Sequence, residues 1–144
     1  MSEGEKMIRF FLIHLVCVAG LPQKPCTLPV RKSCPYGSTV FRQGYNETSK
    51  QCVGFLTNDC TDGDTNVYYT YRDCLQACDR TSVCLQDTYK IGGFYDLYYR
   101  YDVRTDRCVV KQDVLEDGQL WPQGNLFPNE TACEKACRPF FGRL

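Results

Sequence analysis

The spacing of the cysteines constrains this chain more than any other feature of its sequence. The cysteines that follow residue 20 form two groups, and each group ends on a C-x-x-x-C pair, CLQAC and CEKAC. Cysteines four residues apart lie on one face of a helix, so the two members of a pair are suited to bond different partners. The groups are Cys26, Cys34, Cys52, Cys60, Cys74 and Cys78, then Cys84, Cys108, Cys133 and Cys137. This pattern predicts two related units that each end in a short helix held by disulfides.

The two groups overlay as an internal repeat. The overlay aligns three pairs of cysteines: Cys52 with Cys108, Cys74 with Cys133 and Cys78 with Cys137. Cys26 then also aligns with Cys84. Cys34 and Cys60 then have no counterparts, and their joint loss predicts that they form one bridge in the first unit. The overlay also aligns YNETSKQC with YDVRTDRC, each with a tyrosine and a turn-forming Asn or Asp before its cysteine.

The first twenty residues predict a signal peptide. Lys6 and Arg9 precede the apolar run FFLIHLVCVAG, and the small residues at its end predict cleavage after Gly20. Met7 is an alternative start, and a buried N-terminal helix is the alternative structure. Eleven apolar residues are too few for a membrane span, which needs about twenty. Cleavage would remove one of the eleven cysteines, and the density of those remaining is typical of secreted disulfide-rich proteins.

The rest of the composition argues against an enzyme. The only histidine, His14, lies in the predicted signal peptide, so none remains for a Ser/His or Cys/His pair or for a metal. DGDTN at 62–66 resembles the start of a calcium loop, but Val67 stands where that loop requires glycine. Acidic and basic residues balance at 17 each, which favours neither nucleic acid nor an anionic membrane. The chain is expected to bind another protein without a metal or cofactor.

The residues YDLYYRYD predict a strand in the second unit. Large hydrophobic side chains recur at every second position, and this period of two predicts a strand with one half-buried aromatic face. That face would carry Tyr95, Leu97, Tyr99 and Tyr101.

The expected fold is a small disulfide-rich α+β protein with two tandem modules. Each module would consist of a twisted β-hairpin and a short C-terminal α-helix, and Thr70 and Asn129 are expected to begin the two helices. The predicted boundaries are a first module over 21–79, a linker over 80–83 and a second module over 84–144. The final residues FFGRL are expected to form a frayed tail.

The first unit resembles the Kunitz, or pancreatic trypsin inhibitor, family. Its cysteine gaps of 7, 17, 7, 13 and 3 residues lie within a residue or two of the family spacing. Tyr45, Phe55, Asn66 and Tyr68 match as well, and in the second unit GNLFPNETACEKAC matches the closing segment of the family. The residues alone leave fifteen pairings open for six cysteines and three for four. The resemblance implies the disulfides Cys26–Cys78, Cys34–Cys60, Cys52–Cys74, Cys84–Cys137 and Cys108–Cys133, and with them two tandem Kunitz-like modules.

The resemblance also implies a reactive loop. Kunitz inhibitors block serine proteases with a rigid convex loop, and the residue after the second cysteine fills the specificity pocket of the enzyme. In this chain the reactive bond would lie between Pro35 and Tyr36. Proline has neither the charge nor the reach for a trypsin-like pocket, and the tyrosine would crowd the enzyme. Arg31 and Lys32 come too early for that role and are expected to be rim contacts or solvated charges.

The second unit has no disulfide tether for a corresponding loop, because no cysteine lies between Cys84 and Cys108. Counting from either end puts the corresponding residue near Gly93 or Phe94, and Phe94 would suit a chymotrypsin-like pocket. The paired glycines of IGGF favour a flexible turn instead. Trp121 is a candidate contact residue, although a packed indole is the simpler expectation.

Together these features predict a secreted, extracellular and monomeric serine protease inhibitor with an atypical reactive loop. The alternative is a non-inhibitory binder of the same fold, such as an ion-channel modulator or a clotting-factor or platelet ligand. Tandem modules that have lost a bridge are similar to those of arthropod salivary proteins. Asn46 and Asn129 each begin an Asn-Glu-Thr acceptor pattern for N-glycosylation in a secreted chain.

Overall fold

The described residues form a small disulfide-rich α+β fold. The computed structural model describes residues 26–30, 34–64, 66–87, 91–115 and 124–144. The predicted signal peptide, Arg31, Lys32 and Trp121 lie outside these residues. The strands and helices are β1 (Thr39–Asn46), β2 (Gln51–Asn58), α1 (Tyr71–Cys78), β3 (Ile91–Asp102), β4 (Arg107–Leu115), α2 (Glu130–Cys137) and β5 (Phe140–Arg143), with short 3-10 helices at Asp59–Thr61 and Val83–Leu85. None of the helices in the described part of the chain is long and apolar enough to cross a membrane.

Five disulfides hold these elements together. Their Cα–Cα separations run from 5.4 to 6.0 Å in four bridges and reach 6.3 Å in the fifth, all within the usual range. In both helices the two cysteines bond different partners, so each helix is fixed to its own hairpin and to the segment before that hairpin. The bridges are Cys26–Cys78, Cys34–Cys60, Cys52–Cys74, Cys84–Cys137 and Cys108–Cys133.

Helix α1 begins where side chains satisfy the free N–H groups of its first turn. Thr70 Oγ1 accepts a hydrogen bond from the N–H of Asp73 at 3.0 Å, so the predicted start of this helix is confirmed. The Asp106 carboxylate accepts from the N–H groups of Tyr71 at 3.3 Å and Arg72 at 3.0 Å. Because Asp106 lies in the turn between β3 and β4, the second hairpin caps the helix that follows the first.

Helix α2 begins at Asn129, as the sequence predicts. The Asn129 side chain accepts a hydrogen bond from the N–H of Ala132 at 2.8 Å. Its last turn contains Lys135, whose positive charge is favourable near the carbonyl end of a helix. Within the described residues, the side-chain cap of this helix therefore comes from Asn129, which adjoins it.

The predicted strand in the second unit is confirmed, but the prediction of its buried face is wrong in part. Residues 91–102 form β3, which pairs with β4 in antiparallel register. Tyr95 and Leu97 are 67 % and 53 % exposed, whereas Tyr98, on the opposite face, is 1 % exposed. Tyr98 forms a buried cluster with Leu115 of β4 and with Leu126. The alternating pattern did not identify the buried face, because both faces of the strand carry aromatic residues. Tertiary packing selects which of these residues is buried.

The residues IGGF are the start of β3 and not the flexible turn that their glycines favoured. Ile91 and Phe94 both pair with Leu115, so the ladder contains an irregularity between them. Gly93 has a φ of 86°, in the left-handed region that glycine adopts without a Cβ clash. The glycines therefore form a bulge that lets the strand continue.

The C-terminal residues are also ordered into a strand, so the prediction of a frayed tail is wrong. β5 pairs in parallel with β2 and gives a three-stranded sheet in the order β1-β2-β5. Gly54 N–H donates to Pro139 O at 2.7 Å, and Leu144 N–H donates to Leu56 O at 3.0 Å. A Cβ on Gly54 would overlap the hydroxyl of Tyr71, so the absence of a side chain there allows the close packing. No local pattern indicates this pairing, because the partner strand lies about ninety residues earlier in the chain.

The core is shared by both hairpins and both helices. Tyr71 and Leu75 of α1 are buried in the same cluster as Tyr101 of β3 and Phe127, which precedes α2. Tyr71 also donates its hydroxyl hydrogen to the backbone oxygens of Arg138 and Pro139, at 3.0 and 2.9 Å. Burial raises the pKa of the Tyr71 phenol, which therefore stays neutral and can donate. The two halves of the described chain consequently pack as one body.

Candidate functional site

The residues Cys34–Gly37 form an exposed turn immediately before β1. Pro35 and Tyr36 occupy its two central positions, and Gly37 N–H donates to Cys34 O at 3.4 Å. Proline suits the first central position because its ring fixes φ near the value that such turns require. The Tyr36 side chain is 97 % exposed. The turn thus presents an aromatic ring to solvent on a short, constrained segment. We call residues 34–38, the turn together with Ser38, the 34–38 loop.

Two contacts and one closely packed glycine brace this loop from beneath. The Cys34–Cys60 disulfide ties its first residue to the 3-10 helix after β2. Asp59 N–H donates to Ser38 O at 3.0 Å. A Cβ on Gly37 would lie only 2.9 Å from both Asp59 Oδ1 and the Cβ of Cys34, so this position has room only for glycine. A loop held in this way loses little conformational entropy when it docks on a partner.

A charged pair secures the strand that follows the loop to the segment after Cys60. The Arg42 guanidinium donates to both carboxylate oxygens of Asp62, at 2.7 and 2.6 Å, and lies 4.6 Å from the centroid of the Tyr69 ring. These hydrogen bonds lower the pKa of Asp62 below its ordinary value and raise the pKa of Arg42. The two-pronged geometry fixes the direction of β1 close to the loop.

The second candidate position lies in a different setting. Gly93 is an exposed residue near the start of β3, and the backbone of Phe94 pairs with Leu115 of β4. The side chain of Phe94 is outside the described residues. Neither position adjoins a disulfide, since Cys84 and Cys108 are the nearest cysteines in the sequence. The structure therefore brings Pro35 and Tyr36 together in a braced turn, and keeps Gly93 and Phe94 in a hairpin ladder.

The two candidate glycan acceptor residues occupy different local structures. Asn46 ends β1, and its side-chain oxygen accepts from the N–H groups of Thr48 at 2.9 Å and Ser49 at 3.3 Å. Asn129 is the exposed cap of α2. In both residues the oxygen is the atom engaged in these bonds, while the nitrogen is the atom that a glycan modifies.

Sequence reasoning missed two residues that shape this molecule. Gly37 has a clear physical role beneath the loop, and its signal was the glycine following PY in a cysteine-flanked turn. Asp106 caps α1 and also accepts a hydrogen bond from the Tyr101 hydroxyl. No local pattern points to Asp106, because the N–H groups that it satisfies belong to a helix more than thirty residues earlier.

Comparisons with known proteins add little to these observations. No protein-family model matches the chain, and no curated protein matches it. Among solved structures, a chain in the structure of the complex between SmCI and human carboxypeptidase A4 is similar, with 24 % sequence identity and a TM-score of 0.40. The match covers 78 % of this chain and 67 % of that chain. A likeness at this TM-score indicates neither a function nor a partner.

Proposed function

We propose that this protein is a secreted Kunitz-type inhibitor of an extracellular serine protease, with the 34–38 loop as its contact site. The bracing of an exposed turn by the Cys34–Cys60 disulfide is the observation that carries this proposal. The target would accept Pro35 and Tyr36 at its active-site cleft, with the reactive bond between them. The tyrosine is the expected anchor, since tyrosine is enriched among residues that dominate binding energy at protein interfaces.

The same proposal covers the organisation of the chain. It comprises a cleaved signal peptide over 1–20, a first Kunitz module over 21–79, a linker over 80–83 and a degenerate second module over 84–144. The repeated order of hairpin and helix supports the two modules. The density of disulfides supports an extracellular location. N-glycosylation at Asn46 and Asn129, a monomeric state, and a protein partner rather than a catalytic activity belong to the proposal as well.

A non-inhibitory binder is the second candidate, and the conformation of the loop favours it. Residues 34–37 close a hydrogen-bonded turn with Pro35 inside it. A turn projects its central side chains outward, whereas entry into a protease cleft needs a segment that the enzyme can pair with along its backbone. In this case Tyr36 would anchor an ion channel or a clotting protein through a pocket of its own.

A panel of purified serine proteases tests the proposal. The chain produced from residue 21 would be titrated against trypsin-like, chymotrypsin-like and elastase-like enzymes, and we expect inhibition of at least one at nanomolar concentration. Tyr36→Ala should weaken that inhibition about thirtyfold, as expected for loss of a dominant contact. Tyr95→Ala is the matched control, because Tyr95 is also an exposed tyrosine but lies on β3; its inhibition should equal that of the unchanged chain.

A Pro35→Arg variant separates the two candidates. If the unchanged chain is inert while this variant inhibits a trypsin-like enzyme, the loop is a sound inhibitory scaffold and the second candidate is supported. If neither protein inhibits any member of the panel, serine protease inhibition by this loop is wrong.

A further inference from the structure

A groove of about 790 Å³ lies where the first hairpin turn meets the second helix. Its apolar lining includes Val83, Ala132 and Ala136, and the two alanines lie one turn apart on one face of α2. Two lysines also line it, Lys50 from the turn between β1 and β2 and Lys135 from α2. The volume is within the range of small-molecule binding sites, which are mainly apolar with a few polar groups.

Lys50 closes the turn between β1 and β2 in a left-handed backbone conformation. Lys50 has a φ of 56°, in the left-handed region that a residue with a Cβ adopts at an energetic cost. Asp106 has the same φ at the equivalent position of the second hairpin, two residues before its cysteine. There the strain accompanies hydrogen bonds that cap α1. The equal φ values reflect the turn that both hairpins share, which opens with Asn46 accepting from Thr48 N–H and with Asp102 accepting from Arg104 N–H. The Lys50 side chain makes no hydrogen bond or ion pair with any described residue, so its ammonium group is available to a ligand.

The charge of the groove favours an anion. Lys50 and Lys135 oppose one carboxylate in the lining, that of Asp79, and no ion pair joins either lysine to another described residue. Two ammonium groups beside apolar surface are complementary to a ligand with an anionic head and an apolar body.

We propose that this groove binds a small amphipathic anion, an aliphatic carboxylate whose head contacts Lys50 and Lys135 and whose chain packs on Val83, Ala132 and Ala136. The turn between β1 and β2 places Lys50 in the lining of the groove. The site goes beyond the proposed inhibitory function, since it contains no residue of the 34–38 loop. Ligand binding there requires both hairpin–helix regions, because each contributes part of the lining.

Displacement of a fluorescent probe tests this site on the disulfide-bonded chain. The probe is 1-anilinonaphthalene-8-sulfonate, whose fluorescence should rise on binding and fall when decanoate displaces it. Decanol, which has the same chain length without the charge, should need at least a tenfold higher concentration. Lys50→Gly and Lys135→Gln should each weaken decanoate binding about tenfold, the effect of losing one charged contact. Lys111→Gln changes an exposed lysine of β4 and should bind as the unchanged chain does.

Lys50→Gly also controls for folding. Glycine relieves the strain of the left-handed backbone, so the variant should melt at a higher temperature than the unchanged chain while binding decanoate more weakly. The proposal would be overturned by equal displacement with decanol and decanoate, by unchanged affinity in Lys50→Gly, or by no rise of probe fluorescence with the unchanged chain.

Discussion

The two hairpin–helix regions of this chain have the same order of elements but hold their helices differently. In the first region (β1, β2 and α1), the helix receives a cap from Asp106 of the second hairpin, and its Tyr71 hydroxyl donates to the backbone after α2. In the second region (β3, β4 and α2), the helix start is capped by Asn129 beside it. The second region, which has no disulfide-tethered loop, thus stabilises the first region, which carries the 34–38 loop.

The sheet shows the same one-sided support. The first hairpin gains a third strand, β5, from the end of the chain, whereas the second hairpin is a two-stranded sheet within the described residues. Two strands alone are marginally stable, and a third strand or a packed helix is usually needed. The comparison indicates that the cysteine-poor half of the chain has a structural value even if it contacts no target.

Removal of β5 should have the largest effect on this comparison. Deleting residues 140–144 removes the pairing with β2 and the packing of Phe140 against Phe41, whose ring centroids are 6.2 Å apart. We expect the free energy of unfolding to fall by about 3 kcal/mol, from several lost hydrogen bonds near 1 kcal/mol each and one aromatic contact. Guanidinium unfolding followed by tyrosine fluorescence measures it.

The Phe141→Ala variant is a control for the deletion, since it keeps the β5 backbone and changes an exposed ring. It should change the free energy of unfolding by less than about 0.5 kcal/mol, as is usual for surface substitutions. If the deletion is equally mild, the C-terminal strand does not support the first hairpin.

Local signals in the sequence predicted local structure well. Thr70 and Asn129 identified both helix starts because an N-cap depends on residues only three positions apart. The strand over YDLYYRYD followed from its period of two, but the choice between Tyr98 and Tyr95 as the buried ring depended on residues elsewhere in the chain. The 34–38 loop could be located from the family resemblance, and the role of Gly37 required the position of Asp59.

Contacts between the two halves were beyond sequence reasoning. The residues FFGR look like an ordinary tail in the sequence, although they pair in parallel with β2. Parallel strands can be joined only by long connections, so no local pattern indicates the pairing. Lys50 and Asp106 align in the repeat, yet Asp106 caps a helix whereas Lys50 lines a groove. Their difference follows from how the two regions pack, which no short motif encodes.

Removal of the Asp106 cap at α1 should have the next largest effect on the free energy of unfolding. Asp106→Ala removes the acceptor of the Tyr71 and Arg72 N–H groups and leaves the buried Tyr101 hydroxyl without its partner. We expect a loss of about 2 kcal/mol in the free energy of unfolding, typical of a lost N-cap and an unsatisfied hydroxyl. Lys50→Ala, at the equivalent strained position, should be close to neutral. Equal losses in the two variants, measured by urea unfolding, would contradict the asymmetric support.

The smallest expected effect concerns two aspartates whose pKa values are both lowered, one in each region. In Asp62 the main cause is the hydrogen bond from the Arg42 side chain, whereas in Asp102 it is the hydrogen bond from the backbone N–H of Arg104. Arg42→Gln should therefore return the pKa of Asp62 towards its ordinary value. Arg104→Gln should change the pKa of Asp102 little, because the backbone N–H remains.

Carbon-13 NMR titration of the carboxyl groups measures these pKa values directly. A carboxyl group whose pKa is lower in the folded state stabilises the fold above its unfolded pKa near 3.8, and this contribution is lost as the pH falls through the folded value. For the partly exposed Asp62 pair we expect a contribution below about 1 kcal/mol, since solvent screens it. Acid unfolding of Arg42→Gln should accordingly begin at a slightly higher pH than that of Arg104→Gln. Unfolding of the two variants in the same pH range would contradict this. The Arg42–Asp62 side-chain hydrogen bond would then stabilise the fold no more than the contact of the exposed Arg104 side chain with Asp102.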